Sequence, residues 1–371
     1  MYKYVSFQYR FPIESNIVRY GKRAESAHNE YLQIAVELGV VGIVIFLIGV
    51  AMWVREVRIV LRGTMKPWER ALVVGATGGA LVILSHGLVD SVFHEPALVM
   101  LLVVCGGLVF PFRTFKDSRM TEWRVPFSYH PLRLALLLLS GGLLAVLVVQ
   151  PAAGWYASQR GEVEAHAGKH ELALQWYETA SLIDPATSGY HDAAARTSFQ
   201  LFHQSGNPQL LVNAVVEEKI AMRLNPLDGR FPYRLGTIYG VLAKQSVSEE
   251  ERALLLNEAA QVYEKAIQAD PYSPLSYLEL ANIRVPQGRE EEARSWLRQA
   301  VAYEPDFLPA RLRLAELSIR GGNSEDARAQ FNAILAAKKK HDGKVLSDLE
   351  RQFLDVDPFP LGNALARWTE R

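Results

Sequence analysis

The sequence predicts an all-α chain, in which a transmembrane bundle of about four helices is followed by an α-solenoid of helical hairpins. Three observations carry this. Nearly all long apolar runs fall before Gln150. Beyond it the chain is charged, Ala-rich and helix-favouring. That second part also repeats one pattern: small and aromatic residues, a Gly turn, Ala-x-x-x-aromatic, then an acid or Asn followed by Pro. The 371 residues suffice for two domains on length alone. The expected division is an outer loop over 1–33, a membrane domain over 34–150, a repeat domain over 151–345 and a tail over 346–371.

The four apolar segments are Leu38–Val54, Ala71–Val89, Ala97–Phe112 and Leu134–Val149. A membrane crossing needs about 20 mostly apolar residues. The first two reach that length, and the others reach it with their uncharged flanks. Lys and Arg in short loops set orientation. Arg55, Arg58, Arg62, Lys66 and Arg70 follow the first segment, and Arg113, Lys116, Arg119, Arg124 and Arg133 follow the third. The DSVFHEP loop between the second and third has neither Lys nor Arg. The basic loops are therefore expected in the cytoplasm. The N-terminal segment, the DSVFHEP turn and the repeats are expected in the periplasm of a bacterial inner-membrane, multi-pass protein. Lys3, Arg10, Arg19, Lys22 and Arg23 stand against the rule on the outer side.

Composition excludes several classes. A formal net charge of +0 gives no global attraction to nucleic acid. The lone cysteine, Cys105, lies in an apolar run and excludes a disulfide framework and a cysteine-based metal site. The opening MYKYVSFQYRFPIES lacks the apolar core of a signal peptide. Asp355-Val356-Asp357 spells a DxD but sits in the tail, where it reads as a solvated turn, and Lys338–Lys340 reads as an exposed helix end.

One repeat copy reads GKHELALQWYETASLIDP, with Gly168, Ala173, Tyr177, Ala180, Asp184 and Pro185. Later copies end at Asp270-Pro271 and Glu304-Pro305, another begins at Gly321, and an irregular one ends at Asn225-Pro226. Ala at the crossing points lets two helices approach, aromatics fill the space beside them, and Pro stops the second helix. The spacing from Asp270 to Glu304 equals the 34-residue tetratricopeptide period. Over about Trp155 to Lys340 the chain resembles tetratricopeptide repeats. That resemblance implies a protein or peptide partner, or a spacer role.

The stretch AHNEYLQIAVELGVVG, Ala27 to Gly42, holds His28-Asn29 and then Gly39-x-x-Gly42. On one continuous helix, Ala35, Gly39 and Gly42 would fall on the face beneath His28. A small-residue stripe of this kind lets a neighbouring helix pack closely. The imidazole would then stand at a helix N-terminus, whose partial positive charge suits a phosphate group. His86 and Asp90 are four apart and share a face at the outer end of the second segment.

These pieces resemble the O-antigen ligase and polymerase family of membrane glycan transferases over roughly Phe7 to Val109. FQYRFP is similar to the family's aromatic-rich segment, AHNEYLQIAVELGVVG to its His-Asn motif, and HGLVDSVFHEPALVM to its His-x-x-x-Asp run ending in Pro. The resemblance implies transfer of a glycan from undecaprenyl diphosphate to an acceptor hydroxyl (of a lipid, a growing polymer or a protein) on the periplasmic face, with no metal and no cofactor. His28 would position or deprotonate that hydroxyl, with Asp90 as the second catalytic candidate. Imidazole suits the role because it titrates near working pH. Arg10, Arg19 and Arg23 are candidates for neutralising the diphosphate, and Asn29, His86 and His94 are further substrate-binding candidates. Family members carry many more membrane helices before the His-Asn motif, so the chain is expected to be a C-terminal piece. The alternative is a non-catalytic, membrane-anchored scaffold whose repeats recruit partners for envelope polysaccharide assembly.

Overall fold

A computed structural model describes residues 6–14, 16–21, 29–90, 93, 95–114, 135, 138–139, 141–142 and 149–369. Among these there is helix and turn and no strand. Contacts divide the chain into two units: Met1–Ser6 with Ala24–Leu138, and Phe7–Arg23 with Leu139–Arg371.

The first unit contains α1 (Glu30–Arg62), α2 (Pro67–His86), α3 (Pro96–Gly107) and the short α4 (Phe110–Thr114). Asn29 caps α1: its side-chain oxygen accepts the Leu32 N–H at 3.0 Å, satisfying one of the helix's unpaired donors. Pro67 starts α2 where no intrahelical N–H is needed, and Glu69 reaches back to the Lys66 N–H at 2.9 Å. Val57, Val60, Val73 and Val109 form a small core, with Trp53 and Phe112 against it. Most of α1 is not covered: Val40, Val41 and Ile45 are 77%, 70% and 65% exposed. Both α1 and α2 are long and apolar enough to cross a membrane. The third apolar run is shorter, interrupted by a turn at 108–109. The fourth lies almost wholly outside the described residues.

One expectation is corrected. Helix α1 is two helical pieces joined at Gly39, whose φ of +68° and ψ of −169° leave helical geometry. Only glycine tolerates that region without strain. The register from Ala35 through Gly39 to Gly42 is therefore interrupted, and the small-residue stripe does not continue as one face.

The second unit is a solenoid of five hairpins: α5 (Gln150–His166) with α6 (His170–Ile183), α7 (Ser188–Ser205) with α8 (Pro208–Leu224), α9 (Arg230–Gln245) with α10 (Glu249–Ala269), α11 (Pro274–Arg284) with α12 (Glu290–Tyr303), and α13 (Leu308–Arg320) with α14 (Ser324–His341). Alanines that permit close crossing are fully buried: Ala173, Ala180, Ala266, Ala293, Ala300 and Ala327. Tyr177 packs on Gly161 and Tyr263 on Gly236, both against the bare α-carbon of a glycine. The turn glycines Gly168 and Gly288 take φ of +76° and +74°, which lets each hairpin reverse without a Cβ clash.

The tail caps the array. Helices α15 (Asp348–Leu354) and α16 (Phe359–Thr369) bring Phe353 onto Phe307, and Leu361 and Leu365 onto the cluster around Leu308 and Ile334. An end cap of this kind covers the apolar face that a last hairpin leaves unpaired. In the DxD, Asp357 accepts the Phe359 N–H at 3.0 Å and so caps α16.

Candidate functional site

In the first unit Asn29 and Glu30, at the start of α1, meet the turn after α2. The Asn29 amide donates to Leu88 O at 2.9 Å, and the Glu30 N–H donates to Gly87 O at 2.8 Å. Glu30, only 2% exposed, accepts the Phe93 N–H at 2.8 Å. Two segments more than fifty residues apart are thus tied by one main-chain hydrogen bond and two that join a side chain to main chain. His86 Nε2 lies 3.9 Å from Asp90 Oδ2, with both side chains more than half exposed. His28, Arg23 and His94 lie outside the described residues.

Arg10 and Arg19 sit elsewhere. Their segment, Phe7–Arg23, belongs to the repeat unit. Arg10 Nη2 is 2.5 Å from Asp270 Oδ2, and its Nη1 donates to Tyr20 O at 2.9 Å. The carboxylate of Glu304 accepts two consecutive main-chain donors, Arg19 N–H at 2.7 Å and Tyr20 N–H at 2.8 Å. Arg19 itself donates to Tyr303 O at 3.1 Å and pairs with Glu14. The Tyr20 ring stacks on Tyr272 with centroids 4.3 Å apart and meets Tyr303 edge-on. Ile17 is buried among Tyr277, Leu297 and Phe307. Burial pushes the Glu304 carboxyl above its ordinary range, and the Tyr20 and Arg19 N–H groups pull against that shift.

A second feature of the repeats is a groove of about 520 Å³ formed by α9, α10, α11 and α13, where Val241, Leu256 and Ile283 alternate with Lys244, Arg252, Glu279 and Arg313. Burial pushes the Glu279 carboxyl up, and Asn282 and Lys244 oppose it. Arg313 donates to Glu316 at 2.7 Å through Nη1, while its Nε is buried without a partner. The lining thus combines apolar side chains with the cations Lys244, Arg252 and Arg313, the acid Glu279 and the amide Asn282. Sequence reading did not find it. Its residues come from three hairpins and share no motif.

The tetratricopeptide-repeat family model matches residues 256–306 and 287–347. Those residues carry tetratricopeptide repeats. A tetratricopeptide-repeat and J-domain-containing co-chaperone of Fusarium oxysporum is 29% identical over 114 residues, 31% of this chain and 21% of that protein. The match thus spans about a fifth of the relative's length. Among solved structures, a thermophilic tetratricopeptide-repeat protein of Thermus thermophilus is similar at 23% identity, over 58% of this chain and all of that one, with a TM-score of 0.41. PilF of Pseudomonas aeruginosa is similar at 18% identity over 60% and 86% of the two chains, with a TM-score of 0.44.

Proposed function

We propose that this chain is a membrane-anchored scaffold whose tetratricopeptide repeats bind a protein partner in the groove of α9, α10, α11 and α13. The observation that carries the reading is the groove: its apolar floor and the cations Lys244, Arg252 and Arg313 fit an acidic, extended segment. The anchor is α1 with α2. Their apolar side chains are widely exposed, more than a water-soluble surface ordinarily shows. The basic loops face the cytoplasm, and the repeats face the periplasm, where the partners are components of envelope polysaccharide assembly. The test is affinity purification of the full chain from solubilised membranes. A partner should co-purify in stoichiometric amount and be lost on Lys244→Glu/Arg313→Glu, with helical content retained. A partner profile unchanged by the double substitution would reject the groove.

A second reading is glycan transfer from a polyprenyl diphosphate. It is favoured by the hydrogen bonds that join Asn29 and Glu30 to the turn carrying His86 and Asp90. In this reading His28 and Asp90 act on the acceptor hydroxyl, with Asn29, His86, His94 and Arg23 around the substrate. A diphosphate would have to compete with Asp270 for the Arg10 guanidinium and with Glu14 and Tyr303 O for that of Arg19. General-base roles contribute about a hundred- to ten-thousand-fold in rate. In cells expressing the protein, His28→Ala should therefore abolish the glycan ladder at unchanged protein level. A normal ladder would remove this reading.

A further inference from the structure

The first four hairpins of the array each end on an acid or an Asn before Pro, and these equivalent positions are satisfied in different ways. At the first boundary, Asp184 accepts from its own neighbour Thr187, at 2.7 Å. At the later two, the partners come from about 260 to 285 residues away: Arg10 on Asp270, and the Arg19 and Tyr20 N–H groups on Glu304. Glu304 is fully buried.

We propose that the edge running from Asp270 to Phe307 is a peptide-binding site for arginine- and tyrosine-bearing turns, and that residues 10–20 of this chain are its resident ligand. Four contacts define the recognition. One carboxylate takes two consecutive N–H groups, which reads main chain and fixes register. The guanidinium of Arg10 meets the buried acid Asp270, a charge-assisted pairing stronger than a neutral one. The Tyr20 ring lies flat on Tyr272, in the geometry that aromatic pairs favour. Ile17 is buried in the apolar cluster that includes Tyr277, Leu297 and Phe307.

The docked segment also carries hydrogen bonds of its own. Ile13 N–H donates to Arg19 O at 2.9 Å, Asn16 N–H to Ile13 O at 3.0 Å, and Arg10 to Tyr20 O at 2.9 Å. These bonds close the segment into a turn and lower the ordering cost of docking. Because the turn is tethered, it holds the site at high effective concentration, and any external peptide of the same chemistry must compete with it. The site shares no residue with the groove of α9, α10, α11 and α13, so either can fail without the other.

Trypsin cleavage after Arg19, in the full chain purified in detergent, reports opening of the segment. The wild-type chain should be protected. Arg10→Asp, Asp270→Arg and the uncharged variant Tyr20→Ala should each speed cleavage by about tenfold or more, since proteolysis follows the open population. Combining Arg10→Asp with Asp270→Arg should restore protection. A fluorescent peptide of residues 7–23 should bind the Arg10→Asp chain saturably, bind the wild-type chain at least tenfold more weakly, and lose affinity when Glu304→Gln is added. Circular dichroism checks that each variant keeps its helices. Cleavage equally fast in wild type and variants would overturn the proposal, as would a peptide that ignores the Arg10→Asp chain. Protection that appears only at concentrations where the chain is dimeric would overturn the resident assignment by placing the segment in trans.

Discussion

The Tyr263 ring closes over Gly236: a β-carbon at position 236 would stand 2.7 Å from the ring's Cζ. No side chain fits there without moving the ring, and the ring is fixed by the buried Leu235, Ala259 and Leu280 around it. Gly236→Ala should therefore destabilise the repeats by about 1–3 kcal/mol, the usual range for overpacking. Gly240 lies one turn on in α9, with nothing within 4 Å of its would-be β-carbon. Gly240→Ala should be neutral or stabilising by up to about 1 kcal/mol, because alanine favours helix. Thermal melts of the two variants check the pair. Equal melting temperatures would contradict the packing described for this hairpin.

Glu218 gives a pH prediction. It is fully buried in α8, neither oxygen has a hydrogen-bond partner, and Asp192, the acid that pairs with Arg234, is the neighbouring charge that adds most to its shift. Burial first, and then the charge of Asp192, push its carboxyl up to about 9. The folded chain then binds a proton that the unfolded chain has already lost over the interval from the ordinary carboxylate range to about 9. Stability must fall as pH rises through that interval. Glu218→Gln removes this contribution. Its melting temperature should exceed that of wild type by a margin that widens from about pH 5 to about pH 9. Parallel curves would mean that Glu218 is ionised in the folded chain.

The repeat architecture was largely legible in sequence because each hairpin is a local event. Ala173, Tyr177, Ala180 and Asp184-Pro185 lie within a dozen or so residues of one another and each has one physical job. The irregular stretch near Phe199 to Asn213 still forms a hairpin, turned at Gly206 with φ +71° and capped by Asn207. What escaped was long-range. Arg10 and Arg19 read as candidates for neutralising a diphosphate, and Asp270 and Glu304 read only as the acids that end two repeat copies before Pro. Only folding brings them together. The signal available was complementary charge, a basic aromatic segment and two repeat-end acids, but nothing in sequence sets their register. Gly39 escaped for another reason: Gly-x-x-Gly spells both a packing stripe and a backbone break, and φ is not written in residue type.

Membrane orientation has a separate consequence. If the end of α1 and the turn after it, which carry Arg58, Arg62 and Lys66, are cytoplasmic, alkaline phosphatase fused after Pro67 should be inactive, and fused after Gly161 it should be active. The reverse pattern would place the repeats in the cytoplasm and remove both the periplasmic scaffold and the periplasmic transferase.

The groove of α9, α10, α11 and α13 is proposed to hold a protein partner. Site-specific photo-crosslinking in living cells tests it most directly. A photoreactive residue at Val241 or Asn282, which line the groove, should give one discrete adduct with a second protein. The same residue at Leu182, an exposed position (82%) that does not line the groove, should give none. The groove adduct should disappear when Lys244→Glu/Arg313→Glu is added. Adducts of equal yield from Val241 and Leu182, or a Val241 adduct indifferent to the charge reversal, would contradict the account.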